Sequence, residues 1–229
     1  MRSTVKHLEL TLVQVAFGMQ KCRGNASELL TDAALLADKG RHARAYTLAH
    51  TACEELAKFF VLQLAGKRIV QANAPDWKRF WRRFRSHDSK ITQLSVQLAN
   101  LQLEDHTVDQ DLIAASETLF MASLQPRNAS LYVDIGPDGE FRSPSEIDFG
   151  IPFPVLSGVA TQALRVAGTL GETVTDIVTT LRKPPTVSEQ ATGLEVLVTI
   201  LSRIRDAGIS KEEVLTELNK HWGVPKKAH

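Results

Sequence analysis

The sequence lacks most of the features that announce a particular chemistry. Two cysteines, Cys22 and Cys53, in 229 residues make no disulfide framework and no cysteine metal cluster, and they fit a reducing compartment. Charge of one sign is also missing. The 27 Lys and Arg against 26 Asp and Glu leave a net charge of +1, which excludes a globally basic nucleic-acid binder but not a local basic patch. Apolar runs are broken by charge well before the length of a membrane span. Lys6, His7 and Glu9 interrupt what would be the apolar core of a signal peptide. A cytoplasmic protein is expected, without membrane contact. No phosphate-cradling glycine loop, dinucleotide fingerprint, zinc-spaced Cys/His set, His-Glu-x-x-His motif or nucleophile elbow occurs, so no metal or cofactor is expected. Internal repeats and low-complexity tracts are absent.

What is present is helical periodicity. The apolar fraction of 43% suffices for a proper core, and the length favours one domain, or one domain plus an appendage. Leu8, Leu12, Val15, Ala16 and Met19 recur at three- and four-residue steps, and Leu29, Leu30, Ala33 and Leu36 continue the stripe after a weak interruption at Gly24-Asn25. Lys39-Gly40 is a helix stop. A second helix is predicted over 41–65, with Ala45, Leu48, Ala49, Ala52, Leu56, Phe59 and Phe60 inward and Gly66 as its end. A third is predicted over 77–103 with a coiled-coil-like seam through Phe80, Phe84, His87, Ile91, Leu94, Leu98 and Leu101, and a fourth over 109–124. Residues 125–152 are punctuated by proline and glycine and read as a short extended excursion, with a hairpin turn at Pro137-Asp138-Gly139. A fifth helix is predicted over 154–181. Lys183-Pro184-Pro185 is the clearest linker, and a helical hairpin follows at 188–221. The expected fold is all-α: an antiparallel helical bundle (1–182) with a short extended excursion, then a C-terminal hairpin and tail (186–229).

Three segments stand out as carriers of chemistry. Between 76 and 90, six basic residues (Lys78, Arg79, Arg82, Arg83, Arg85, Lys90) face two acidic ones and alternate with aromatics. That pattern suits a nucleic-acid surface, although Phe80 and Phe84 sit at core spacing, and a solvated basic face explains the rest. His87 falls on the predicted seam. It reads either as a hydrogen-bonded core histidine or as a general acid–base group. On a straight helix Arg82 would point about 140° away from it, so convergence requires an irregular helix or two chains. In the second segment Glu54 and Lys58 form an i,i+4 pair of the kind common on exposed faces. Glu55 falls within the apolar stripe and needs a cation, for which His87, Arg83 and Lys90 are candidates. In the third, Arg127 and Tyr132 are either structural or phosphate contacts.

Ala49-His-Thr-Ala-Cys-Glu54-Glu55-Leu-Ala-Lys58, Phe84-Arg-Ser-His87-Asp-Ser-Lys90, Arg127 to Asp134 and the Leu-x-x-Asp-Ala-x-x-Leu pattern at 29–36 together resemble the AbiV-type abortive-infection family of the HEPN superfamily. The resemblance spans about residues 10–180. It implies a helical bundle, often homodimeric, in a group that includes metal-independent endoribonucleases and toxins of phage-defence systems. Arg82-x4-His87 and Glu54-x3-Lys58 match that group's site patterns. By resemblance, His87 is the general base or acid, Arg82 stabilises the charged transition state, and Glu54 and Lys58 orient them. Arg83, Lys90, Glu55, Arg127 and Tyr132 would contact substrate. RNA, a second copy of the chain, and an antitoxin or phage protein are the implied partners. The rival reading is a non-catalytic interaction module in which glutamate, histidine and lysine form a structural network.

Overall fold

In the computed structural model the described residues are 8–86, 90, 94, 130–135, 138–146 and 153–183. Helix α1 spans Leu12–Asp38, α2 His42–Val70 and α3 Trp77–Arg85. A two-stranded hairpin follows (β1 Asp134–Ile135, β2 Phe141–Arg142), then α4 Phe153–Thr169 and α5 Val174–Leu181. The all-α bundle with a short extended excursion is thus the fold. The predicted fourth helix at 109–124 and the C-terminal hairpin at 188–221 lie outside the described residues.

Helix α1 starts where Thr11 caps it. The Thr11 hydroxyl accepts from the Gln14 amide at 3.3 Å and the Gln14 side chain accepts from the Thr11 amide at 2.9 Å, so two orphan donors are satisfied reciprocally. Contrary to the expected interruption, α1 runs straight through Gly24-Asn25. Met19, Cys22, Ala26 and Ala33 are buried on its inner face, and that packing outweighs the ~1 kcal/mol helix penalty of one glycine. The stop at Lys39-Gly40 stands, with Gly40 at φ 69°.

Helix α2 returns antiparallel to α1. A Cβ on Gly18 would meet Leu62, and one on Gly66 would lie 3.2 Å from Val15 and 2.8 Å from Leu181. That close approach corrects the expected helix end at Gly66. The glycine is there to admit a neighbour, not to terminate, and α2 continues to Val70. Two further boundaries move. The helix predicted over 77–103 breaks early: α3 ends at Arg85 and Ser86 is extended at φ −69°, ψ 131°, while Lys90 and Leu94 are helical again. Arg82, Arg83 and Arg85 crowd its last turn, where cations favour a helix C-terminus. The helix predicted over 154–181 is two helices. Gly171 at φ 116° makes the corner, and a Cβ there would strike Asp176 at 2.4 Å. Thr173 and Asp176 then cap α5. Arg23 of α1 clamps the corner, donating to the Gly171 and Glu172 carbonyls at 2.6 and 3.1 Å and to the Glu172 carboxylate at 3.0 Å.

The core lies among α1, α2, α4 and α5, around Val15, Met19, Leu56, Phe59, Phe60, Leu156 and Ile177. Phe80 of α3 joins it, as its spacing requires, while Phe84 is half-buried at its margin. The Trp81 indole donates to the Leu8 carbonyl at 2.8 Å and pins α3 to the start of the chain.

Candidate functional site

Helix α2 is buried on more than one side. One side meets α1 with apolar atoms. Another carries Thr47, His50 and Glu54, whose three- and four-residue spacing aligns them on a single face. All three are buried: Thr47 and His50 are each 6% exposed and Glu54 3%. Polar side chains buried this deeply require partners, and these come from two distant segments. The Thr47 hydroxyl donates to the Ser130 hydroxyl at 2.7 Å, and Ser130 is itself buried. Lys90, only 2% exposed, places Nζ 3.7 Å from Oε2 of Glu54. His50 holds Nδ1 3.5 Å from Oε1 of the same carboxylate. It makes no hydrogen bond there, and Nδ1 is a buried polar atom without a hydrogen-bond partner.

The three candidate segments of the sequence therefore converge on one face of α2. Lys90 comes from the first, Glu54 from the second and Ser130 from the third. His87 is three residues before Lys90, and Arg127 three before Ser130; both lie outside the described residues. Tyr132, two residues after Ser130, is 63% exposed.

The two glutamates of α2 have roles opposite to those expected. Glu54, read as half of an exposed i,i+4 pair with Lys58, is the buried one and takes its cation from Lys90. Glu55, read as lying in the apolar stripe and seeking a cation from the third helix, pairs with Lys58 of its own helix at i,i+3. The physical reason is that α2 is buried over a wider arc than one stripe. Lys58 also sits over the ring of Phe84, 5.7 Å from its centre, which ties α3 to α2. Glu55 and Lys58 flank Cys22, whose thiol is pushed up to about 12, first by burial and then by the Glu55 charge. Cys53 is also pushed up to about 12, by burial and by Glu54. Both thiols are protonated at neutral pH and take no part as nucleophiles.

The arginines stand apart. Arg82 is exposed and makes no side-chain hydrogen bond or ion pair among the described residues. Arg83 is half-buried, and burial together with Arg79, Arg68 and Arg82 holds it below the usual arginine range. The 140° separation of Arg82 and His87 assumed an unbroken helix, and the extended backbone at Ser86 removes that constraint. His50, Thr47 and Ser130 are the participants that sequence reasoning missed. Their signal was the i, i+3, i+7 spacing of Thr47, His50 and Glu54. Among the described residues no set of His, Cys, Asp and Glu could hold a metal ion, and no helix is long and apolar enough to cross a membrane.

The described residues form a mostly helical bundle, consistent with an all-α HEPN-like fold. The family model described as AbiV, of the HEPN group, matches residues 14–149, more than half of the chain, and the chain belongs to that family. Comparison with curated proteins and with solved structures gave no match.

Proposed function

We propose that the chain acts in abortive infection as a cytoplasmic, homodimeric HEPN protein that binds and cleaves RNA without a metal. The observation that carries this reading is the convergence of the three motif segments on Thr47, His50 and Glu54. A purely structural ion pair needs two segments, whereas three segments meet here, and His87, Arg127 and Tyr132 belong to the same sequence motifs as Lys90 and Ser130.

In this reading Glu54 and Lys90 are positioning residues, because neither reaches solvent. Their pairing fixes the chain on which His87 lies. The His87 imidazole accepts the proton of the ribose 2′-hydroxyl, the freed oxygen attacks phosphorus, and the P–O5′ bond breaks as the 5′-oxygen takes a proton from water, which the imidazolium then replaces, giving a cyclic phosphate, a 5′-hydroxyl and a neutral imidazole. Arg82 neutralises the charge that develops on the phosphoryl oxygens, and Arg83, Arg127 and Tyr132 hold the strand. DNA, lacking the 2′-hydroxyl, is not cut.

The test is incubation of the purified chain with total RNA in EDTA. Cleavage that survives the chelator, spares DNA and is lost in His87→Ala supports the reading. A specific observation favours a second one: Glu54 and Lys90 are both at least 97% buried, as expected of a network that only fixes the bundle for partner binding. No cleavage by the native chain, with a large loss of thermal stability in His87→Ala, would establish that alternative.

A further inference from the structure

Helix α1 packs on α2 with one face and leaves the opposite face open. Nine residues make about two and a half turns of helix, so Val15 and Ala33, nine residues before and after Gly24, point directly away from it. Both are fully buried, whereas Gly24 is exposed and a Cβ there would meet nothing within 4 Å. Gly18 of the same helix admits Leu62. Gly24 admits no neighbour from its own chain, although a glycine there costs the helix about 1 kcal/mol. Steps of seven and eleven residues return to within about 20° of the starting direction. Val13, Phe17, Gly24, Thr31 and Leu35 therefore form one outward row, whose three apolar members are each more than half exposed.

The row has the same spacing from either end. Phe17 and Thr31 lie seven residues either side of Gly24, and Val13 and Leu35 eleven. Lys21, its Nζ 5.3 Å over the Phe17 ring, and Glu28 lie on one flank of the row, beyond the three- or four-residue spacing at which side chains of one helix pair. On a second copy laid antiparallel, with a two-fold axis at Gly24, Val13 meets Leu35 and Phe17 meets Thr31, each twice. Lys21 of one copy then faces Glu28 of the other, within about 2 Å along the axis, and the bare backbone at Gly24 lets the two helices cross closely. A parallel pairing would set Lys21 against Lys21 and Glu28 against Glu28. We propose that this face of α1 is the surface on which two copies of the chain associate, antiparallel and crossing at Gly24. The proposal rests on the homodimer reading above and gives it a surface; it does not rest on RNA cleavage. Both copies of α1 then lie between the two α2 helices, so the two Glu54 carboxylates stand apart and each polar site is assembled within one chain.

The dimerisation of the full chain is measured by sedimentation velocity over a wide range of concentration, with folding of each variant checked by circular dichroism. Every substituted position is exposed, so the variants should fold. Phe17→Glu acts twice across a two-fold interface and is expected to weaken the dimer at least ~10-fold. Lys21→Glu and Glu28→Lys each turn two attractive pairs into two repulsive ones and should weaken it by about 5-fold. Both together in one chain restore opposite charges across the axis and should recover the native affinity. Under a mild oxidant Gly24→Cys should give a disulfide-linked dimer, because the two-fold brings that position onto itself. Glu28→Cys, whose two copies lie about 12 Å apart along the axis, should link only when mixed with Lys21→Cys chains. A dimer unmoved by Phe17→Glu and by the charge reversals overturns this surface and leaves the homodimer standing, as does self-linking of Glu28→Cys without that of Gly24→Cys. A native chain that stays monomeric at every concentration overturns both. A native dimer that responds as expected but cleaves no RNA would sink the nuclease and leave the surface in place.

Discussion

Two faces of α2 carry its burial in different ways. Toward α1 the contacts are apolar and close: Leu62 meets Gly18, and Gly66 lies against Val15. Toward Lys90 and Ser130 the same helix buries a hydroxyl, an imidazole and a carboxylate. Apolar packing is non-directional, so the first face tolerates any swap that keeps its volume. The second depends on charge and hydrogen-bond geometry, and a change of a single atom type there leaves an orphan. A fold needs only the first kind of face. The second costs desolvation of two ions, several kcal/mol each, and that cost is the reason to treat it as the candidate site.

The sharpest test of that contrast is Glu54→Gln, which is nearly isosteric but removes the buried carboxylate charge 3.7 Å from the Lys90 ammonium. A loss of about 3–5 kcal/mol is expected, read from the urea midpoint at constant m. Replacing both ions together, Glu54→Leu with Lys90→Met, should recover most of that stability while abolishing RNA cleavage. A double variant that is stable and still cleaves would show that the polar face is structural only.

The apolar face should respond less. Gly66→Ala places a methyl 2.8 Å from a terminal carbon of Leu181 and 3.2 Å from Val15, an overpacking cost of about 1–3 kcal/mol. The low end is expected, because the Leu181 tip can turn. Leu62→Met conserves volume at a buried position and should cost less than about 1.5 kcal/mol. If Leu62→Met matched Glu54→Gln, the distinction between the faces would fail.

The helices of the bundle were legible because their periodicity is physical: Val15, Met19, Leu56, Phe59 and Phe60 must face inward wherever the chain is helical. The short hairpin was legible from its turn residues, and Gly139 does take a left-handed φ of 85°. Boundaries were less so. Gly24 and Gly66 carry the same local signal as Gly40, but only Gly40 closes a turn, since the neighbours that hold α1 and α2 together are distant in sequence. The site was half legible. Its three segments were found from composition and resemblance, yet which glutamate turned inward was not, because one-stripe reasoning assumes a single buried face. His50 was hidden for the same reason: it looks like the polar side of a helix until a second layer covers it.

Neighbouring glutamates allow the comparison to be made with one chemical change. Glu55→Gln is the same substitution as Glu54→Gln, one residue along the helix. Glu55 is only partly buried, its side chain 13% exposed and that of Lys58 22%, so water reaches the lysine when the carboxylate charge is removed. The pair is local, at i,i+3, and its loss should cost less than about 1 kcal/mol. The amide still accepts a hydrogen bond from Lys58, whose Nζ keeps its place over the Phe84 ring. The same variant removes the nearby charge that helps raise the Cys22 thiol, so its titration should move down while burial keeps it above the usual range. Equal losses for the two glutamine variants would mean that Glu54 and Glu55 share one environment, and the two-faced description of α2 would have to be given up.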